Sequence, residues 1–159
     1  SFNKKISNNL QIKMHPGDGH FFDFETKSRW TSKFSDIKII QPTIKFDKFK
    51  NDTNLFIFNY ESTGFLQLLN INFPCLLLLR NIDSQIDDQF KKYYEFLIEA
   101  KILHLNNESL NNHLYKIVDD VDKWWYSVNT QVNLKKFVEV FANNKNSNPQ
   151  NLKRILKEI

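Results

Sequence analysis

The chain has 159 residues, of which 41% are hydrophobic and 14% aromatic. This composition excludes a disordered chain and allows one compact domain with a substantial core. The net charge of +4 comes from lysines spread along the chain, which favours a solvated basic surface over a nucleic-acid-binding patch. A weak association with an anionic membrane surface stays an open alternative.

The single cysteine, Cys75, excludes an internal disulfide and a cysteine-based metal site. The sequence has no signal peptide and no apolar run of membrane-spanning length. These features predict a cytoplasmic protein, with the inner face of the membrane as an alternative location.

The first nine residues are polar and are predicted to be a linker or the end of a preceding segment, so that the domain comprises residues 10–159. Leu10–Met14 alternates apolar and polar residues and predicts a short strand. His15–His20 (HPGDGH) predicts a loop that contains two of the three glycines of the chain, Gly17 and Gly19. A scarce residue concentrated in one loop indicates a sharp turn or a close approach to a ligand.

Three short elements are predicted next. Arg29–Ser35 is read as one helical turn and Asp36–Ile40 as a strand that ends at the following proline. Thr43–Asn51 has apolar residues at helical spacing and predicts a short amphipathic helix.

The segment from Leu55 to Leu79 predicts a buried strand, a helix and a second buried strand. Leu55–Phe58 is a short apolar run, and Ser62, Thr63 and Gly64 stand where a helix should begin. The helix ends before Pro74, because proline disfavours helical backbone in the residue before it. Cys75–Leu79 then predicts the second strand.

The remainder of the chain is predicted to be mainly helical. The predicted elements are an acidic loop Asn81–Asp88, a helix Gln89–Ala100, a strand Ile102–Leu105, a long helix Leu110–Trp125, a helix Gln131–Ala142 capped by Thr130, a loop Asn143–Asn148 and a last helix from Pro149 to Ile159. Strands that alternate with helices predict an α/β fold with a mostly parallel sheet, helices on both faces and a helical carboxyl-terminal end.

Ligands of such sheets bind at the carboxyl ends of the strands. The loop that contains His15 and the turn at Ser62 both follow predicted strands, so we expect them to lie at the same edge. Hydroxyl groups and free amides at the start of a helix attract an anion, and in enzymes of this architecture the anion is usually a nucleotide phosphate. A plain helix cap is the alternative interpretation of the hydroxyl pair.

Five segments together resemble the carboxyl-terminal half of a bacterial surface-carbohydrate biosynthesis transferase family, a branch of the GT-B glycosyltransferases. They are MHPGD at Met14–Asp18, RWTSKFSDIK at Arg29–Lys38, NLFIFNYESTGFLQLLNINFP at Asn54–Pro74, YYEFLIEAKILH at Tyr93–His104 and IVDDVDKWW at Ile117–Trp125. The resemblance implies a Rossmann-like domain that binds the nucleotide-sugar donor. It also implies that a second, amino-terminal half outside this chain carries most contacts to the glycan acceptor.

The resemblance implies roles for particular residues, which are expectations for this chain. His15, with Pro16 and Gly17, is similar to a histidine-proline element of sialic-acid and Kdo transferases, where the histidine meets the donor phosphate; His15 is therefore the expected catalytic residue. The turn at Ser62, Thr63 and Gly64 is expected to bind the same phosphate. Gln67 is expected to contact the ribose. From its place after the second strand, Arg80 is expected to contact the ribose or base, or a phosphate or carboxylate, with a salt bridge to the loop Asp83–Asp88 as the alternative. Glu61 and His20 are expected at the sugar, with solvation of the turn as the alternative for Glu61.

The implied donor is a CMP-linked acidic sugar first, and a UDP- or GDP-sugar next. No cofactor or metal is expected. Asp119, Asp120 and Asp122 are interpreted as a solvated acidic face rather than metal ligands, and Trp124 and Trp125 as packing anchors. Two alternatives remain open, a nucleotide-sugar epimerase half-domain and a non-catalytic interaction module of a glycan-assembly complex.

Overall fold

The computed structural model describes residues 10–13, 25–34, 37–40, 48 and 50–141. The chain divides into two compact units, Ser1–Thr53 and Asn54–Ile159. Each unit is described by itself. Four predicted segments lie outside the described residues: the linker of the first nine residues, the loop His15–His20, the loop Asn143–Asn148 and the last helix from Pro149.

The first unit contains a pair of parallel strands, β1 (Gln11–Lys13) and β2 (Lys38–Ile40), in which Ile12 is opposite Ile39. Helix α1 (Glu25–Lys33) lies between them in the chain, as a parallel pair requires a long connection. This helix is longer than the single turn that the sequence predicted. Of the predicted amphipathic helix Thr43–Asn51, most lies outside the described residues; a short 3-10 helix covers Lys50–Asp52.

The second unit contains a parallel sheet of three strands in the order β3 (Phe56–Phe58), β4 (Cys75–Leu78) and β5 (Leu103–His104). Helix α2 (Thr63–Asn70) connects β3 to β4. The strand-helix-strand prediction is therefore confirmed, with strand ends shifted by a residue or two.

Five further helices lie in the described part of the second unit, two of them between β4 and β5 and three after β5. They are α3 (Ile82–Gln85), α4 (Asp88–Glu99), α5 (Asn107–Ile117), α6 (Val121–Trp125) and α7 (Val128–Phe141). Three predictions need correction. The acidic loop contains the one-turn helix α3. The predicted long helix is broken into α5 and α6, because the Asp120 side chain accepts a hydrogen bond from the Lys123 amide and starts a new helix. Helix α7 begins three residues early, with Thr130 inside it and buried, and Ser127 Oγ near the Thr130 amide.

Helices cover both faces of the three-stranded sheet. Phe58 of β3 packs edge-on against Phe65 of α2 on one face. The register places His104 of β5 on the opposite face, where its ring lies 5.3 Å from that of His113 in α5. Strand β4, in the middle, is buried on both sides at Cys75, Leu76 and Leu77. An α/β fold with parallel strands covered by helices on both faces is thus confirmed for this unit.

Two tryptophans hold the turns at the amino ends of β4 and β5. Helices α2 and α4 both end with a residue in the left-handed region, Asn72 (φ 56°) and Lys101 (φ 58°). The paired backbone hydrogen bonds around each are those of a Schellman motif. The indole N–H of Trp125 donates to the Asn72 carbonyl and side-chain oxygens, and that of Trp124 donates to the carbonyl oxygen of Ala100. The prediction that these tryptophans are packing anchors is confirmed.

Candidate functional site at the carboxyl edge of the sheet

The first turn of α2 lies directly after β3 and carries the predicted hydroxyl pair. Ser62 is the N-cap residue, and its Oγ accepts a hydrogen bond from the Phe65 amide at 3.2 Å. This bond satisfies the third amide of the helix. The amides of Thr63 and Gly64 have no hydrogen-bond partner among the residues that the structure describes. Two free N–H groups at the positive end of an eight-residue helix favour a negatively charged ligand.

Gly64 leaves space at this turn. A Cβ added to Gly64 would lie 3.7 Å from both Phe58 Cε1 and Ser62 Oγ, which is ordinary van der Waals contact. Neither its backbone conformation nor its surroundings require glycine. The absence of a side chain at the second helical position therefore has no explanation in packing, whereas close approach of a ligand to the backbone would explain it.

Glu61 lies just before this turn and is held by a tyrosine of α4. The Tyr94 hydroxyl donates a hydrogen bond to Glu61 Oε1. Burial, reinforced by this bond and by the Glu61 charge, raises the pKa of Tyr94 well above its usual range, so the hydroxyl stays protonated as a donor. Tyr94 itself is packed edge-on against Phe137 of α7. A carboxylate position at the carboxyl edge is thus fixed by the aromatic core.

Arg80 follows β4 and is exposed at the same edge. Its Nη2 donates to Asn107 Oδ1 at 3.2 Å, and Asn107 is the first residue of α5, which follows β5. The bond links the polar residues after two neighbouring strands. A guanidinium held by a neutral amide keeps its full positive charge available to a phosphate or carboxylate.

The structure brings some of the predicted site residues together and leaves others apart. Glu61, Ser62, Thr63 and Gly64 are consecutive at the end of β3, and Arg80 stands after the adjacent strand. Gln67 is exposed on α2, beyond its first turn. His15, Pro16, Gly17 and His20 lie outside the described residues, so their predicted roles stay predictions.

Sequence reasoning missed the two partners at this edge, Tyr94 and Asn107. Tyr94 lies within the predicted helix Gln89–Ala100, and no feature of the sequence indicates a carboxylate partner for it. Asn107 was hidden in the run Asn106-Asn107-Glu108-Ser109, where the true N-cap is Asn106, whose side chain accepts from the Ser109 amide at 2.8 Å. Polar residues directly after a strand were the only signal available.

The described residues contain no group of three or more histidine, cysteine, aspartate or glutamate side chains that could hold a metal ion. Asp120 is the N-cap of α6. Cys75 is buried in β4, and burial raises the pKa of its thiol, so it is a poor nucleophile.

The fold and this edge together define an α/β protein whose parallel sheet presents a helix start, a carboxylate and an arginine at the carboxyl ends of its strands. The chain matches the LIC12162 family transferase over residues 1–156 and belongs to that family. It is therefore a transferase. Comparisons with curated proteins and with solved structures gave no match. Within the described part, no helix has both the length and the apolar character needed to cross a bilayer.

Proposed function

We propose that this chain is the donor-binding, Rossmann-like half of a GT-B glycosyltransferase that moves a sugar from a nucleotide-activated donor to a bacterial surface glycan. Membership of a transferase family and a parallel sheet with anion-binding groups at its carboxyl edge support the proposal. A CMP-linked acidic sugar is the first candidate donor and a UDP- or GDP-sugar the next. The acceptor would bind through a second half that this chain does not contain.

The observation that carries the proposal is that the amides of Thr63 and Gly64 have no hydrogen-bond partner in the part of the chain that the structure describes. A donor phosphate at this position would accept hydrogen bonds from both amides and lie at the positive end of α2. The Ser62 hydroxyl accepts from the helix through one lone pair, which leaves its proton free to donate to the same phosphate.

Arg80 would supply the second positive element. It stands after β4, beside the strand that leads into the Ser62 turn, and is exposed. A guanidinium there suits the second phosphate of a nucleoside diphosphate or the carboxylate of an acidic sugar. Glu61, positioned by Tyr94, is suited to accept hydrogen bonds from sugar hydroxyls.

His15 is the proposed catalytic residue. A protonated imidazole at the leaving phosphate would stabilise the charge that develops as the glycosidic bond breaks. Pro16 and Gly17 would shape its loop, while His20 would contact the sugar and Gln67 the ribose.

The experiment is isothermal calorimetry of the chain with CMP, CDP, UDP and GDP. We expect Thr63→Ala to weaken binding modestly and Gly64→Ala to weaken it more, because a methyl group at position 64 would stand where the phosphate approaches. Arg80→Gln should weaken nucleoside diphosphates more than CMP. His15→Ala should lower affinity for the phosphate-bearing ligands while leaving the fold intact by circular dichroism.

Ser62→Ala needs a matched control, because it also removes a helix cap worth about 1 kcal/mol. Asp120→Ala removes a comparable cap from α6, whose tryptophans lie at the amino edge of the sheet. The proposal requires that Ser62→Ala lowers nucleotide affinity and that Asp120→Ala does not. An absence of heat with every nucleotide at millimolar concentration would instead favour a non-catalytic interaction module. Epimerised sugar from a UDP-sugar without acceptor would identify an epimerase.

A further inference from the structure

A second polar groove lies along the outer side of β5, between this strand, the end of α4 and the exposed face of α5. Its volume is about 420 Å³, and its lining includes Lys101, His104, Ser109, His113 and Lys116. It is open to solvent on the side of the lysines, both of which are exposed. None of its lining residues belongs to the proposed donor site.

The charges that line this groove are all positive. Lys101 and Lys116 contribute two cations, and the described residues that line the groove include no carboxylate. The pKa of His113 is lowered to about 4, mainly by burial and further by the positive charges of His104, Lys101 and Lys116. An uncompensated positive concavity of this kind attracts anions.

The groove also contains a buried polar atom without a partner. His113 is 6% exposed, and its Nε2 has no hydrogen bond to any described residue. Buried polar groups in native proteins are nearly always paired, and the exceptions are concentrated at sites of ligand binding or chemistry. A second polar ring at the same wall, His104, is 4% exposed.

The hydrogen bonds of His104 determine its tautomer. Its Nε2 lies 3.0 Å from the carbonyl oxygen of Lys101, which can only accept, so Nε2 carries the proton. Its Nδ1 lies 2.8 Å from Ser109 Oγ and therefore accepts from the serine hydroxyl when the ring is neutral. If the ring takes up a second proton, Nδ1 becomes a donor to Ser109 Oγ, and the serine hydroxyl is then free to donate into the groove.

We propose that this groove binds a small oxyanion, of the phosphate or sulfate type, and that binding is coupled to protonation of His104. The anion is held by Lys101 and Lys116, and it accepts a hydrogen bond from Ser109 once the serine proton is released from His104. The groove thereby acts as an anion site that strengthens as the pH falls, distinct from the donor site at α2.

The groups that face His104 support this coupling. The turn after α4 presents Lys101, α5 presents His113 and Lys116, and β4 presents the apolar Leu78 in register. Burial is the largest effect on the pKa of His104 and lowers it; the hydrogen bond to the Lys101 carbonyl raises this pKa, and the Lys101 charge lowers it by less. An anion between the lysines opposes both positive fields and so favours the charged imidazole.

The test is a titration of the whole chain with sodium sulfate, followed by NMR of the histidine ring protons, at constant ionic strength with chloride as the reference. Sulfate is the probe because its own charge does not change over the pH range in which histidine titrates. The chain has four histidines, so single His→Gln variants assign their signals. We expect saturable shifts of His104 and His113, a raised titration midpoint of His104, and tighter binding at about pH 6 than at about pH 8.

Three variants make the result specific. Lys116→Gln and Lys101→Asn, which keeps a residue tolerant of the left-handed backbone, should each weaken sulfate binding by up to about fivefold. Lys135→Gln removes the same charge from an exposed position on α7 and should leave it unchanged. Absence of a saturable His104 shift, or equal weakening by Lys135→Gln, would overturn the proposal.

The same measurements distinguish anion binding in this groove from nucleotide binding at the donor site. Gly64→Ala should reduce nucleotide binding without altering the sulfate response of His104. If no nucleotide binds the chain at all, the donor-site proposal fails, and the sulfate response of His104 still tests whether the groove binds an anion. Inorganic phosphate and a nucleoside monophosphate, added afterwards, distinguish a free anion from a phosphate carried on a larger ligand.

Discussion

A paired substitution tests how the turns at the amino edge of the sheet are stabilised. Asn72 and Lys101 occupy the same position of the same motif, each just after a helix and each at a positive φ. Glycine is the residue that this conformation favours. We expect Lys101→Gly to stabilise the protein and Asn72→Gly to destabilise it.

The magnitudes follow from what each side chain contributes. A lysine in the left-handed region destabilises the folded state by about 1 kcal/mol, and glycine removes this strain. Glycine also raises the conformational entropy of the unfolded chain, so the net gain in stability is at most about 1 kcal/mol. Asparagine tolerates this backbone better, and its side chain bonds to the Trp125 indole at 2.9 Å and exchanges two bonds of 3.1 Å with Gln131. Their loss should cost about 1 to 2 kcal/mol.

The assay is urea unfolding followed by far-ultraviolet circular dichroism, with the midpoint compared at equal slope. The two variants should shift the midpoint in opposite directions. In a Trp125→Phe background the cost of Asn72→Gly should shrink, because the indole donor is already absent. Equal shifts of the two glycine variants, or an unchanged cost in that background, would refute this explanation of the two turns.

Three further outcomes are expected within the second unit. Gly64→Ala should raise the free energy of unfolding by up to about 1 kcal/mol, since the added methyl meets only ordinary contacts; a lower Tm in calorimetry would contradict this. Tyr94→Phe removes the donor to Glu61 and should destabilise the fold by about 1 to 2 kcal/mol in urea titrations, whereas an unchanged midpoint would show that the bond contributes nothing. His113 has a pKa of about 4 in the folded protein, below its value in the unfolded chain. Between about pH 6.5 and 4 the unfolded chain therefore binds the extra proton, and the free energy of unfolding decreases as the pH is lowered, by at most about 3 kcal/mol. His113→Gln should flatten this pH dependence of the free energy of unfolding. An identical pH dependence in both proteins would show that His113 is not its source.

The strand-helix-strand unit around α2 could be predicted because its signals agree. Leu55–Phe58 and Cys75–Leu79 are apolar without interruption, the polar turn at Ser62 supplies a cap, and Pro74 enforces the break. At this unit the local preferences and the burial pattern favour the same structure, so a single sequence is sufficient.

The division between α5 and α6 could not be predicted in the same way. Val118, Asp119 and Asp120 do not forbid a helix, and the periodic apolar positions continue past them. The Asp120 cap starts α6, and contacts distant in the chain favour this break over a continuous helix, because Trp124 and Trp125 then reach the turns before β5 and β4. Contacts between residues far apart in the chain leave no local mark.

The candidate sites show the same limit. The helix start at Ser62 is visible as a motif in the sequence, but Tyr94 is 33 residues away from its partner Glu61, and no local pattern links the two. His104 lies within the predicted strand Ile102–Leu105 and Ser109 just before the predicted helix Leu110–Trp125. A histidine near the end of an apolar strand, followed by an N-cap sequence, is the available signal that both face one groove.

The placement of the indoles has a spectroscopic consequence. Trp125 is fully buried and Trp124 half-buried, and both report on the rim of the sheet opposite the helix start at Ser62. The emission of these two tryptophans should therefore shift to longer wavelengths when that rim opens during denaturation. Nucleotide added to the native protein should not change their emission. In a Trp30→Phe variant, which removes the exposed tryptophan of the first unit, intrinsic fluorescence would then follow folding without interference from ligand, and a dye-labelled nucleotide would be needed to follow binding.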